Sequence, residues 1–578
     1  MRTDRKIEGR VLRAARVGLA SALGAGIFAP AIGLADPVHT PVTDEMLLGA
    51  PREANNWLMA GRDYNGTRYS PLAKVNAKSV KRLVPVWSFS FGVLDAQNTT
   101  PLVVDGIMYV TASHGKIFAI DGKTGKQIWG YSHALPDNIG KMMCCDVGNR
   151  GAAVYGDKVF YATPDAHVIA LDRTTGQKVW DVVVGDYTKA QTMTVAPLVV
   201  KGKVVVGMSG AEYPTRLWID ALDAETGEQV WRRYTIPEPN EPGGDTWGKT
   251  DPEASKYGGG STWITGSYDP QLDTLYWSTG NPNPDWDGEG RKGDNLYTNS
   301  TLALNPDNGE IKFHYQYTPW DVWDFDGVNE TILANIDGRR VWLHGDRNGF
   351  LYQIDRSDGK FVWAKEISKV NWATGFTAEG RPIIDETKVP TYTNKAMNVC
   401  PASEGGKWWN PMSYHPVNKT VVVPSREICA DILAGKSDRV EGKYNLGIAE
   451  ADWAKGHGQL VAFDAATGEK TWTVKAPSPF TSGVLTTGGG LVFAGTPEGE
   501  FKAFDIRTGE ELWSYQTGSG IVGSPVSFAV DGKQYIAVPS GWGGWTGWAT
   551  WGGRGGAPHL KDSRKGGTLF VFGLFDAK

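Results

Sequence analysis

The chain has 578 residues, 59 basic and 64 acidic, for a net charge of −5, and only 21% of its residues are charged. That balance leaves no basic footprint for nucleic acid. The 73 glycines and 24 tryptophans favour short strands joined by tight turns over helical bundles, and single β architectures can run to this length.

In chain order, the first element is a targeting segment. Arg2, Arg5, Lys6, Arg10, Arg13 and Arg16 precede the apolar stretch Val17–Leu34, and Gly33 and Ala35 are small residues ahead of Asp36. The pattern reads as a cleaved export signal over residues 1–35, leaving residues 36–578 as a single periplasmic domain. Gly24, Gly26 and Pro30 interrupt a stretch barely long enough to span a bilayer, which argues against an anchor and against stable membrane insertion. Residues 1–35 hold six basic and two acidic side chains, so their removal takes the net charge to −9.

Beyond the signal one phrase recurs: a small or apolar residue, Asp, two variable residues, Thr-Gly or Asp-Gly, and an aromatic four residues after the Gly. Its copies are Ala119–Trp129, Ala170–Trp180, Ala221–Trp231, Gln353–Trp363, Ala462–Trp472 and Ala503–Trp513, with a degenerate Ala303–Phe313. Each reads as a β-hairpin whose turn carries the Gly, and repetition at this scale signals a repeat architecture. Upstream apolar strands such as Lys158–Ala162 extend each copy to four strands. The predicted fold is therefore all-β, a β-propeller with Trp-containing repeats whose tryptophans pack one blade on the next. Seven copies plus a blade shared by the termini, where Leu83–Phe91 would pair with Thr568–Phe572, suggest eight blades. The long gaps from Ala221 to Ala303 and from Gln353 to Ala462 must hold loops or an extra blade.

Four cysteines, Cys144, Cys145, Cys400 and Cys429, lie in the exported part, and an even count there favours two disulfides. Adjacent cysteines bridge only through a strained ring, so Cys144 and Cys145 could equally be separate thiols or pair with the other two. No CxxCH is present, which argues against covalently attached haem c. No CxxC or His cluster along the chain suggests zinc.

The segment Cys144–Gly151 (CCDVGNRG) resembles a motif of the pyrroloquinoline quinone (PQQ)-dependent alcohol dehydrogenases, a family that includes methanol and ethanol dehydrogenases, and the likeness extends over nearly the whole mature chain. It implies a Cys144–Cys145 bridge packed on the quinone, with Arg150 contacting it. Further matches imply cofactor contacts from Thr194 in TMTVAP, from Ser209, Gly210 and Ala211 in GMSGAEY, from Trp263 in GGGSTW, from Arg347 in DRNGF and from Trp545 in GWGGWTG. Glu212, and Asn281 in GNPNPDW, match metal ligands; their hard oxygens suit Ca²⁺ or a comparable ion. In WDVWDFDGVNE, Asp324 matches the catalytic base and also faces the metal. Asp326, two residues on, stands where calcium-using members commonly carry a small neutral residue and lanthanide-using members carry Asp, so the resemblance implies a lanthanide ion, with Ca²⁺ the alternative. Cys400 and Cys429, at the separation of a second family disulfide, imply a structural bridge.

Three positions depart from the family pattern: Asn98 stands where Glu is frequent, Trp408 where Asn is common, and Thr481 where a substrate-side Trp often lies. The expected function is oxidation of primary or secondary alcohols by hydride transfer to PQQ, with a soluble cytochrome c as electron acceptor. A PQQ-dependent sugar, polyol or aldehyde dehydrogenase is the alternative, a non-enzymatic propeller scaffold the remote one. A homodimer is left open.

Overall fold

The structure is a computed structural model and describes residues 40–145, 147–548 and 557–575, apart from the side chains of Trp545, Trp548, Pro558 and Asp562. The expected export signal lies outside the described residues. Among those described, no helix is long and apolar enough to cross a membrane.

The chain folds as a β-propeller. Eight of the described sheets hold four or five strands, and seven of these contain one copy of the repeated phrase. In most of these sheets the strands follow chain order and pair antiparallel, as in Ala152–Tyr155, Lys158–Ala162, His167–Asp172 and Lys178–Val183; Tyr69–Ser70 adds a parallel strand to one of them, against Leu485–Thr487. The inner strands are buried on both faces (Leu198–Val200, Lys203–Gly207), whereas outer strands such as Lys178–Val183 are largely exposed. That gradient explains why the inner strands read as continuous apolar runs.

The repeated phrase works as a docking element. Asp172 Oδ1 accepts backbone N–H bonds from Thr174 at 3.0 Å and Thr175 at 2.8 Å, and Gly176 closes the turn at φ +73°. Trp129 of the preceding sheet lies over that glycine, where a Cβ would come within 2.6 Å of the indole. Its Nε1–H donates to the Arg173 carbonyl at 2.8 Å. The arrangement repeats for Trp87 on Gly125, Trp180 on Gly227, Trp231 on Gly309 and Trp472 on Gly509. Each of these indoles donates to a backbone carbonyl of the neighbouring turn. In the degenerate copy Phe313 covers Gly359, with packing retained and the N–H donor lost.

The termini meet as predicted. Leu83–Ser90 pairs antiparallel with Thr568–Leu574, from Leu83 opposite Leu574 to Ser90 opposite Thr568, and completes a sheet with Lys533–Ser540 and Val526–Val530. Trp513 Nε1 donates to Leu83 O at 3.1 Å across that junction. Both long sequence gaps hold loops, together with the first strands of the next sheet. The second also carries the pair Ala373–Phe376 and Pro382–Ile384 and the three-stranded set Ala396–Val399, Ala430–Ala434 and Ile448–Trp453. A Cys400–Cys429 disulfide ties two strands of that set together.

Replacing Gly176 with Ala forces a left-handed residue and a clash with Trp129, and should destabilise the protein by about 1–3 kcal/mol. Trp129→Phe, which keeps a ring but loses the N–H bond, should cost about 1 kcal/mol. Denaturant unfolding of the two variants checks both; a Gly176→Ala protein as stable as wild type would remove the glycine from this role.

Candidate functional site

A cavity opens among the segments that link successive sheets. Its wall includes Cys144, Cys145, Arg150, Thr194, Ser209, Gly210, Glu212, Trp263, Asp324, Asp326 and Arg347, residues dispersed over two hundred positions of sequence. Cys144 and Cys145 are joined as a vicinal disulfide, which settles the pairing that the cysteine count left open.

Backbone geometry explains how each group arrives. Gly210, at φ +121°, passes so close to the Ala190 carbonyl that a Cβ would lie 1.9 Å from its oxygen; the turn then presents Glu212 to the cavity. Ala211 is buried behind the wall, its carbonyl accepting from Asn283 Nδ2 at 2.9 Å. In the loop around residues 320–330, Asp321 is buried and accepts the N–H groups of Trp323 and Phe325, both at 2.9 Å. Trp323 and Phe325 stack on each other and pack on Trp372. Asp324 and Asp326, both with left-handed backbone (φ +61° and +45°), project instead into the cavity. Strained backbone of this kind persists where surrounding packing over-determines it.

Arg347 joins the two carboxylates. Its Nη2 lies 2.9 Å from Asp326 Oδ2 and its Nη1 3.3 Å from Asp324 Oδ1. Asp326 Oδ1 also accepts from the Asn281 backbone N–H at 3.3 Å, so Asp326 faces inward. That approach requires Gly280, whose Cβ would lie 2.3 Å from Asp326 Oδ1. Asn281 itself is buried just behind the wall, its Nδ2 donating to Asp285 Oδ1 at 2.8 Å. A cation held by a hydroxyl and two aromatic faces lies at the other end. Arg150 Nη1 donates to Thr194 Oγ1, and its guanidinium sits 4.3 Å from the Trp263 ring centre and 4.7 Å from that of Trp409.

Four carboxylates (Glu212, Asp285, Asp324, Asp326) thus share this wall, two of them bonded to Asn281, with Arg347 against Asp324 and Asp326 and Arg291 near Asp285. Burial, reinforced by Asp324 and Glu212, drives the Asp285 carboxyl well above its usual range. Burial likewise raises Glu212 against the pull of Arg347 and pushes Asp326 up to about 7. For Arg347, burial alone would lower the pKa, but Asp326 and Asp324 reverse the effect and hold it above the ordinary value. A multivalent cation among these oxygens would relieve the excess charge, and the donor set, carboxylates with one amide, is that of a hard ion. Asn98 Oδ1 is buried on the same wall without a hydrogen-bond partner, an acceptor suited to a polar ligand. The residues present therefore fit both a hard cation and a polar organic cofactor.

Asp285 and Trp409 are wall residues that motif reading passed over. Asp285 had a visible signal, four residues beyond Asn281 in the same motif. Tyr444 and Leu446 also line the cavity but arrive from the excursion before residue 457, which carries no repeat. Among the departures, Asn98 and Trp408 line the cavity. Thr481 is buried, bonded to the Ile521 carbonyl at 2.8 Å, and is not among the lining residues. Trp545 falls within the short helix Gly544–Trp548, and its side chain lies outside what the structure describes.

Comparison with known proteins agrees with this geometry. Residues 57–379 and 443–536 match the family model for the glucose/ethanol/alcohol dehydrogenase PQQ β-propeller domain. The quinoprotein alcohol dehydrogenase PedH of Pseudomonas putida is 41% identical, covering 94% of this chain and 95% of its own length. A quinoprotein ethanol dehydrogenase of Pseudomonas putida is 38% identical, over 97% of this chain and 98% of that one. A europium-containing methanol dehydrogenase superposes with a TM-score of 0.87 at 36% identity, covering 92% of this chain and all of its own.

The raised Asp326 pKa has a measurable consequence in chelator-treated protein. A carboxylate with an ordinary value of 3.8 and a folded value of about 7 binds more protons folded than unfolded between those limits. Its contribution to stability is present at low pH and lost as pH rises through 7, on the order of 4 kcal/mol over the whole window. Relative to Asp326→Asn, the wild type should therefore lose unfolding temperature between pH 5 and pH 8. Parallel pH profiles for the two proteins would contradict the burial argument.

Proposed function

The chain belongs to the PQQ-dependent alcohol dehydrogenases, and from that premise we propose how its own residues carry out alcohol oxidation. The observation that carries the reading is the pairing of Asp324 and Asp326 with Arg347 on the cavity wall. When bound, PQQ supplies the two-electron acceptor and its cation supplies Lewis acidity. The Cys144–Cys145 bridge, Trp263, Arg150, Thr194, Ser209 and Gly210 would hold the cofactor, with Ala211 behind them; Trp545 is proposed for the same role from the resemblance alone. Glu212, Asn281, Asp324 and Asp326 would hold the ion.

Asp324 is the proposed base. Its carboxylate would take the alcohol proton, while PQQ, when bound, would supply the acceptor for the hydride of the carbinol carbon. Arg347 keeps that carboxylate in place through its contacts at Asp324 Oδ1 and O, the latter at 3.1 Å. Trp408, Trp286, Tyr444 and Leu446 add apolar surface to the wall, which excludes water and favours a small alcohol over a polyhydroxylated sugar. The four-carboxylate surround favours a trivalent lanthanide over Ca²⁺, since an extra anionic ligand strengthens attraction to the higher charge. Electrons would pass to a soluble cytochrome c, in keeping with the absence of CxxCH from the sequence, and the amino-terminal pattern supports periplasmic export.

Asp324→Asn should lower turnover by about 10²-fold or more while PQQ remains bound in equal stoichiometry, read from cofactor content. Loss of PQQ instead would make Asp324 a binding residue. Asp326→Ala should reduce La³⁺-supported turnover by about tenfold or more relative to Ca²⁺-supported turnover. An unchanged metal preference would assign the site to Ca²⁺.

A further inference from the structure

Two histidines and two aspartates that belong to none of the cofactor motifs and are absent from the cavity wall converge where two neighbouring sheets meet. His133 follows the strand Gln127–Ser132 at the outer edge of one sheet. Asp165 and His167 come from the turn leading into His167–Asp172 of the next sheet, and Asp181 from its outer strand Lys178–Val183. His133 Nε2 lies 2.9 Å from Asp165 Oδ2, and His167 Nε2 lies 3.7 Å from the same oxygen. The two imidazole centres are 4.6 Å apart. One ligand atom each from His133, His167 and Asp181 also falls within 4.8 Å of the others.

We infer that His133, His167 and Asp165 form a second cation site, for a borderline divalent ion such as Zn²⁺, with Asp181 supporting it. Bonds of about 2.0–2.1 Å in a tetrahedral zinc site place neighbouring ligand atoms about 3.3–3.4 Å apart. The separations of 2.9 and 3.7 Å from Asp165 Oδ2 bracket that edge, so small side-chain adjustments suffice.

The surrounding contacts are those of a metal site's outer shell. His167 Nδ1 lies 2.7 Å from Asp181 Oδ1; a proton held there leaves the Nε2 lone pair directed toward Asp165. Fully buried Thr163 donates to Asp165 Oδ1 at 2.6 Å, which orients Oδ2 toward both rings. Lys178 Nζ, 2.9 Å from Asp181 Oδ2, occupies the second carboxylate and leaves Asp165 as the anionic ligand. Two imidazole nitrogens and one carboxylate suit Zn²⁺ or Cu²⁺, whereas calcium and lanthanides prefer all-oxygen sets like that of the cavity. An ion here would pin the edges of two sheets together and fix the start of the segment that runs from His133 to the Cys144–Cys145 bridge.

The test uses the full protein loaded with PQQ and its cavity metal, equilibrated with micromolar Zn²⁺ and assayed by elemental analysis. Wild type should retain one zinc per chain more than His133→Gln or His167→Gln and should show a higher unfolding temperature with Zn²⁺ than without. Both variants should keep alcohol turnover, which certifies their folding. Equal zinc content in wild type and folded variants would overturn the site. Should a variant fail to fold, Co²⁺ is added to the wild type alone: the visible absorption of a four-coordinate ion, displaced by one equivalent of Zn²⁺, supports the site, and its absence refutes it.

Discussion

The contact on which this molecule depends is an indole laid over a glycine. Six aromatic side chains cover turn glycines of the adjacent sheet, each 3.0 Å or less from where a Cβ would stand, and five of them, the indoles, also donate to a backbone carbonyl of that turn. Each contact buries apolar surface, and each indole also satisfies a polar group of the backbone. Because each sheet docks only on its neighbours, the angle set by one such contact is repeated around the ring.

That repetition places the linking segments of every sheet around a common centre. The cavity is built from them, and the rigid sheets hold its carboxylates closer together than their charges would otherwise allow. The same scaffold holds Asp324 and Asp326 in left-handed backbone by anchoring Trp323 and Phe325 on Trp372. The acidic cluster balanced by Arg347 is the electrostatic product of the propeller, and a multivalent ion is what its chemistry calls for.

Much of this was legible in the chain. The Asp-to-Trp phrase predicted hairpins and inter-sheet packing, and the terminal strands Leu83–Ser90 and Thr568–Leu574 pair in the expected antiparallel sense. The motif residues flanking the vicinal cysteines, Glu212 and Asp324 reach one cavity. What stayed hidden has physical reasons. Asp285 carries a lone carboxylate whose meaning depends on Asn281 being hydrogen-bonded to it. Tyr444 and Leu446 arrive on a non-repeating excursion, for which periodicity offers no register. Thr481 looked like a substrate-side position, yet its hydroxyl turns to the Ile521 carbonyl.

By itself, the sequence determined the strand pattern, the turn chemistry and the family motifs, because these are local: an Asp, a Gly and a Trp at fixed spacing suffice to make and dock a hairpin. Only the tertiary structure decided which distant charges share a space. It joined Cys144 to Cys145 and Cys400 to Cys429, turned Asp326 inward to Arg347, and brought His133 beside His167 from a different sheet, a cluster invisible along a chain in which no histidines are grouped. Charge interaction depends on distance through space, and spacing along a sequence does not report that distance until the sheets have closed into their ring.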